Sequence, residues 1–597
     1  MHRALFIHEI LLHICDSLHL ERHWARYDRD PQRLVAEAAL ASLARTCRIF
    51  HNPAKDSLWS SQISLTPLIL FLGDSVIFID ALVDPDAWYC RKQTKVIYRK
   101  PPSASQMSRF LQHARLIKYI ELAKDTPLID TRIFDDLLSF SFPPSISTRR
   151  CLTFFPNLRS IKWSWDCVPS DYLCLLLGPA VTRLNLWAKS GPSMECTLDA
   201  LKYHAPSLTH FTCREVPDYT LTIDTWLGLN IFRTLTVLYL NPTKDIWYTT
   251  WYMLSQFPHL HDLESCVPFD DGEERALKHP LSEIHFPSLG ALTLHAPMEE
   301  PVSFGSFVTE CMPVERRPYR LHSFELVCVG PLIETDTTLV IQHMSDLCDR
   351  EVIRSFQFRG PEEMSHIPGP QTSPDIIPMT LAPLLAFPGL HTISLSPMMA
   401  IDLDNDVLEK MARAWGCLAL LHLPHTDSHW VHEPRITLEG LIPLAQLCPR
   451  LRSITIVFSP EVAVSEEVQR RVDQMEFNNS VTYIAVNWGP FCERKAAEGV
   501  ARFIKKLFPL VREVDYLYRE YEERVRGSED KDEEGTNSGE EVPDDEGSTV
   551  PDSGWDDDIE PGDGREDGDV GVGSSRPSSS KRGIWSHVNR ILREQQV

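Results

Sequence analysis

The chain has 597 residues, 43% of them apolar and 24% charged, with a formal net charge of −24. That apolar fraction supports a large core. The charge is unevenly spread: residues 528–570 hold nineteen Asp and Glu against Lys531 and Arg565, a balance of −17 that leaves −7 for the remainder. Neither part has the basic excess that gripping phosphates requires, so no nucleic-acid partner is expected. Fifteen cysteines are dispersed without any Cys-x-x-Cys, which argues for reduced thiols filling core space rather than disulfides or a zinc finger. His8 and Glu9 interrupt the apolar N-terminus, a poor signal peptide. No apolar run approaches the ~18 residues of a membrane span. A soluble protein of the cytoplasm, the nucleus or both is expected, with no membrane partner.

In chain order, "LFIHEILLHICDSL" places Ile7, Ile10, Leu11, Ile14 and Leu18 on one helical face. After a linker containing "RYDRDPQ", the stretch "RLVAEAALASLARTCRIF" offers Leu40, Leu43, Ala44 and Cys47 at helical spacing. Asn52-Pro53 reads as the start of a third short helix ending near Leu58 and Trp59. Three such helices are marginal alone. They either dock on the following body as a cap or keep an apolar face for a partner, and roughly half of these side chains are expected to form the unit's own core.

These residues resemble the F-box family. "IHEILLHICDSL" matches its Ile/Leu-rich first helix, and "LASLARTCRIFHNPAKDSLW" its Leu-x-x-Leu-Ala-x-x-Cys second helix and terminal Leu-Trp. "SLTPLILFLGD" and "MSRFLQHARLIKYIEL" resemble the connector of F-box proteins abundant in mushroom-forming fungi. The resemblance implies an adaptor that docks on a Skp-family protein of a cullin-RING ubiquitin ligase while its repeats hold the protein to be ubiquitinated. The docking face it implies is Ile7, Ile10, Leu11, Ile14, Leu43, Ala44, Cys47 and Trp59. Helix-in-groove binding needs apolar anchors at such spacings.

Further along, a phrase recurs. "FPNLRSIKWSW", "FPSLGALTLHA" and "CPRLRSITIVF" share apolar residues at i, i+3 and i+5. The series runs from Leu158/Ile161/Trp163 through Leu289/Leu292/Leu294 to Val511/Val514/Tyr516, thirteen copies in all, with Leu116/Tyr119/Glu121 as an irregular first copy. Eight carry proline two places before the first apolar residue, among them Pro156, Pro287, Pro449 and Pro509. Residues two apart share one face of a short strand, and proline marks the junction between a helix and that strand. "RKAAEGVARFIKKLFP" puts Ala496, Val500, Phe503, Ile504 and Leu507 on one helical stripe. Such a unit cannot bury its apolar face alone, so the units stack. The alternative, an ordinary doubly wound α/β domain, does not account for proline recurring in register. The arrangement resembles an irregular leucine-rich repeat with full helices on the convex side.

No phosphate loop, Gly-x-Ser-x-Gly elbow or His-Glu-x-x-His is present. No catalytic residue, cofactor or enzymatic activity is therefore expected. "LLHLPHTDSHWVHE" gathers His422, His425, His429 and His432, but at a spacing that matches no usual structural zinc site, so no metal is expected. Aromatics at Trp165, Trp187, Trp247 and Trp251 lie in or just after early repeats. On the concave wall they would anchor a bound protein, and inside they would fill the core.

The resulting organisation is an α/β chain with an F-box-like three-helix domain (1–62), a connector (63–109) and an irregular leucine-rich-repeat solenoid (110–523). A disordered acidic segment (524–580) and a short basic amphipathic helix (581–597) follow. The last either folds back onto the body or engages a partner. The function expected is that of a substrate-recognition subunit of a Skp/cullin/F-box ligase with a target protein of unknown identity. The competing readings are a leucine-rich-repeat scaffold with an N-terminal cap, and a metal-dependent enzyme using the histidine cluster.

Overall fold

The computed structural model describes residues 8–17, 31–82, 92–122, 128–141, 153–164, 170–187, 201, 204–214, 233–240, 246–266, 268–269, 286–296, 319–328, 334–359, 378–395, 402–423, 434–459, 465–477, 479–486, 494–516 and 583–594. They belong to two compact units, Met1–Ile367 with Met379–Leu390, and Pro368–Pro378 with His391–Val597.

The first unit begins with helices α1 (His8–Ser17), α2 (Pro31–Thr46) and α3 (Arg48–Ser60). Pro31 opens α2, where its missing N–H costs nothing. The third helix starts four residues before the expected Asn52-Pro53 signal, and Pro53 lies buried inside it. Cys47, in extended backbone, provides the N-cap, and the His51 N–H donates to its carbonyl at 3.1 Å. The first turn is thus closed upstream, and Pro53 removes only one later donor.

Next come β1 (Ser61–Gln62), β2 (Val76–Leu82), β3 (Lys92–Tyr98), β4 (Tyr119–Leu122) and β5 (Leu128–Ile129). An antiparallel β2–β3 hairpin, joined in parallel by β5, makes a small side sheet. The helix Ala104–Ala114 starts at a capping box: Ser103 Oγ accepts from the Gln106 N–H at 3.3 Å, and Gln106 Oε1 accepts from the Ser103 N–H at 2.7 Å.

The repeat strands of this unit are β6 (Ser160–Ser164), β7 (Arg183–Trp187), β8 (His210–Arg214), β9 (Val237–Leu240), β11 (Asp262–Cys266), β13 (Ala291–Ala296), β14 (Ser323–Cys328) and β15 (Ser355–Arg359). With β1 and β4 they pair in parallel, each with the next in that series. The short strands β10 (Ile246–Trp247) and β12 (Pro268–Phe269) pair separately. The second unit repeats the plan with β16 (Thr392–Ser394), β17 (Leu420–Leu423), β18 (Ser453–Ile456), β19 (Tyr483–Val486) and β20 (Val514–Tyr516), again parallel.

The recurring triplet points inward. Leu158, Ile161 and Trp163 are buried, as are Leu289, Leu292 and Leu294, and Leu451, Ile454 and Ile456. The irregular first copy is off by one residue: Ile117, Ile120 and Leu122 are the buried set, and Tyr119 and Glu121 face the other way. Pairing decides this, because Ile120 lies opposite Ile161, and a one-residue slip moves every side chain to the other face.

The prolines sit in tight turns. The Leu158 N–H donates to the Phe155 carbonyl at 3.1 Å, Leu390 to Phe387 at 3.3 Å, Leu451 to Cys448 at 3.1 Å and Val511 to Phe508 at 3.1 Å. Pro156, Pro388, Pro449 and Pro509 are therefore second residues of four-residue turns, where their fixed φ is wanted. The preceding segments are full helices in some repeats, such as Glu334–Leu347, Asn405–Ala414 and Arg494–Leu507. In others they are 3₁₀ turns, such as Ser170–Leu175 and Ala382–Ala386. The architecture is mixed α/β, with stacked units on long parallel sheets in the manner of a leucine-rich-repeat solenoid.

In the second unit the helix Gly583–Glu594 packs on Arg494–Leu507, with Val588 and Leu592 fully buried. The acidic segment 524–580, with its expected disorder, lies outside the described residues.

Candidate protein-interaction surfaces

The N-terminal helices divide their apolar residues between an inside and an outside. Cys15, Leu40 and Ala54 form a small core, with Leu43, Ala44 and Leu58 packed against it. Leu11 joins the inside at 2% exposure, which corrects its expected place on a docking face. It lies one helical turn before the core residue Cys15 and so shares the packed side of α1, and burying a leucine stabilises by roughly 1.5–3 kcal/mol. Ile10 and Ile14 are 38% and 41% exposed, one helical turn apart. Ile49, at the start of α3, and Val35, on α2, are exposed as well. Sequence reasoning missed both because neither falls on the periodic stripe of its helix.

Cys47 is half-buried as the N-cap of α3. Trp59 is half-buried, its ring 5.5 Å from Phe71 and 4.9 Å from His113. His113 in turn stacks on Phe71 at 4.1 Å, and burial holds its pKa below the ordinary imidazole value. Trp59 thus ties the helices to the connector. Ile7 lies outside the described residues.

The second surface is the sheet face opposite the triplets in the first unit. One row of facing positions runs Glu121, Lys162, Asn185, Thr212, Tyr239, Glu264, Thr293, Glu325 and Gln357 across successive strands. Its charged groups each meet a polar or charged neighbour. Lys162 donates to Glu121 and lies 5.8 Å from the centroid of the Trp187 ring. His295 meets Glu264 at 3.1 Å, and Arg359 meets Glu325 at 2.7 Å. The partly exposed Lys162–Glu121 and Arg359–Glu325 pairs contribute under about 1 kcal/mol each, so they orient side chains more than they hold the fold.

Beside Lys162, Ser164 Oγ and Asn185 Oδ1 are shielded from solvent with no hydrogen-bond partner among the described residues. A shielded polar atom without a partner costs about 1–3 kcal/mol, which a ligand able to reach it would recover. The corresponding row in the second unit, Ser394, His422, Thr455, Ala485 and Asp515, has one carboxylate and no Lys or Arg.

Of the four tryptophans expected to anchor a bound protein, Trp187 is half-buried at the end of β7 beside Lys162. Trp251 is fully buried, edge-on to Phe286 at 5.1 Å, and is a core residue; this corrects its expected role. It belongs to the helix Tyr248–Ser255, which turns it inward. Trp165 lies outside the described residues; Trp247 lies in β10, and its side chain is likewise outside them. Of the histidine cluster only His422, in β17, is among them. No group of three or more His, Cys, Asp or Glu is arranged to hold a metal among the described residues.

No family model matches the chain, and no curated protein matches it in sequence. Among solved structures it is similar to a leucine-rich-repeat protein of Leptospira interrogans, at 12% identity over 69% of this chain and 80% of that one, with a TM-score of 0.30. It is also similar to a chain of the Rad7–Elc1 complex of yeast, at 17% identity over 53% of this chain and 79% of that one, TM-score 0.31. A third is the leucine-rich-repeat protein LegL7 of Legionella pneumophila, at 12% identity over 60% and 83%, TM-score 0.22.

Proposed function

We propose that this protein is a non-enzymatic recognition subunit that binds a Skp-family adaptor of a cullin ubiquitin ligase through α1–α3 and a target protein through the repeat sheet. The observation that carries the reading is the outward pair Ile10 and Ile14, which leaves an apolar stripe on helices whose sequence resembles an F-box. Such a stripe suits helix-in-groove docking. On the sheet, Lys162 and Trp187 offer a charge and an aromatic surface to a polypeptide. By this reading the protein works in the cytoplasm, the nucleus or both.

The test is co-purification of the full chain with a Skp-family adaptor. An Ile10→Asp/Ile14→Asp double variant should keep the fold and lose capture, because both side chains lie on the partly exposed side of α1 rather than in the core. Equal capture by wild type and variant, or none by either, would sink the reading. Leu11→Asp is unsuitable, since it places a carboxylate in the helical core.

A second reading, a repeat scaffold whose N-terminal helices serve only as a cap, is favoured by Trp59, which spends its ring on Phe71 and His113 within the body. A folded wild-type chain that captures no adaptor is the outcome this reading expects.

A further inference from the structure

The residues just before the strands of the first unit form a row of their own. Arg159, Thr182, Thr209, Thr236, His261, Gly290, His322 and Arg354 are linked in that order, each N–H donating to the preceding carbonyl at 2.6–2.9 Å. Gly290 is the one residue of the row without a side chain, and among the described glycines positive φ occurs only at Gly73. Backbone conformation therefore does not call for glycine at 290. The space does. His261 and His322, on the strands to either side, lean over it with ring centroids 5.2 Å apart. A Cβ at 290 would lie 2.6 Å from His261 Cε1, 2.7 Å from His261 Nε2 and 2.8 Å from His322 Nδ1. Both nitrogens thus border the space above the glycine.

On the far side of His261, Nδ1 lies 2.8 Å from Asp262 Oδ1. A carboxylate there accepts a hydrogen bond from Nδ1–H and so leaves the Nε2 lone pair free, the arrangement that orients metal-bound histidines. We propose that His261 and His322 bind a transition-metal dication, zinc foremost, over Gly290, with Asp262 as the orienting partner. Zinc–nitrogen bonds are about 2.0–2.1 Å, and the ion would lie farther from the Gly290 backbone than a Cβ does, so both exposed rings turn to meet it. Because no third His, Cys, Asp or Glu joins them among the described residues, two of zinc's four positions remain for water or for a side chain of a bound protein. This departs from the sequence reading, which expects no metal and whose only histidine cluster lies elsewhere. The inference does not depend on the ligase reading.

The test is zinc chloride titration of the metal-stripped full chain, by calorimetry and by competition with a chromophoric chelator. Because the chain has 23 histidines, the decisive quantity is the difference between wild type and variants. His261→Gln and His322→Gln should each lose one equivalent of zinc, with circular dichroism and melting unchanged in metal-free protein. Gly290→Ala should lose the same equivalent, as the methyl fills the site. Asp262→Asn should retain it with about tenfold weaker affinity. Equal stoichiometry and affinity in wild type and both Gln variants would overturn the proposal. If Gly290→Ala misfolds, the Gln variants decide alone.

Discussion

Asn589 holds Val514 by both of its backbone groups: the Val514 N–H donates to Asn589 Oδ1 at 2.7 Å, and Asn589 Nδ2 donates to the Val514 carbonyl at 2.8 Å. One side-chain amide thus does for β20 what a further strand would do, and the edge of a sheet is where unpaired groups invite association. Val588 and Leu592 seal the same helix onto Arg494–Leu507, and Arg593 meets Glu513 at 2.8 Å. Of the two fates left open for this segment by sequence, the structure has it folded back.

Asn589→Ala should therefore cost about 1–3 kcal/mol of local stability, the worth of two modest hydrogen bonds and the exposed groups they leave. Hydrogen exchange at the Val514 amide reads it directly. Val588→Asp/Leu592→Asp should release the helix altogether and produce concentration-dependent self-association in sedimentation. An unchanged Val514 exchange rate in the double variant would show that the helix does not guard this edge.

Trp251→Ala should destabilise the first unit by about 3–5 kcal/mol, the usual cost of emptying a large buried aromatic site. Trp187→Ala should cost well under that, because Trp187 is half-buried and its named contact is a cation at 5.8 Å. Chemical unfolding of the two variants separates them. Equal losses would place both side chains in the core.

His113 predicts a pH effect with a definite sign. Burial disfavours its charged form and pulls its folded pKa below the ordinary value of 6.5; the Lys55 charge adds to this and the bond to the Arg109 carbonyl opposes it. Below 6.5 the unfolded chain takes up the proton first, so this contribution is full above that pH and is lost as pH falls through the lower folded pKa. His113→Phe should keep the stack on Phe71 and abolish this part of the dependence. Thermal melts of both proteins between pH 7.5 and 5, values chosen around that titration, compare them; identical slopes would contradict the assignment.

Much of the architecture was legible locally. The spacing i, i+3, i+5 names the inward residues of the repeat strands among the described side chains, and proline at the turn names the junction, because both depend on geometry within a few residues. The errors fell where pairing or packing intervened. Copy one slipped by a residue because its register is set by Ile161 across the sheet. The third helix begins before Pro53 because the backbone bond from the His51 N–H to the Cys47 carbonyl already closes its first turn. Leu11 and Trp251 carry two readings in sequence, surface anchor or core, because an apolar side chain on a helix bears no mark of what will cover it.

By itself, then, the order of amino acids determined the repeat, the strand faces, the turns and an apolar N-terminal stripe, since periodicity is a local property of the backbone. Only the folded chain decided that Ile10 and Ile14 stay outside while Leu11 goes in, that two histidines 61 residues apart meet over Gly290, and that Asn589 finds Val514 across 75 residues. Those relationships arise from which surfaces approach one another, and no spacing along the chain encodes that.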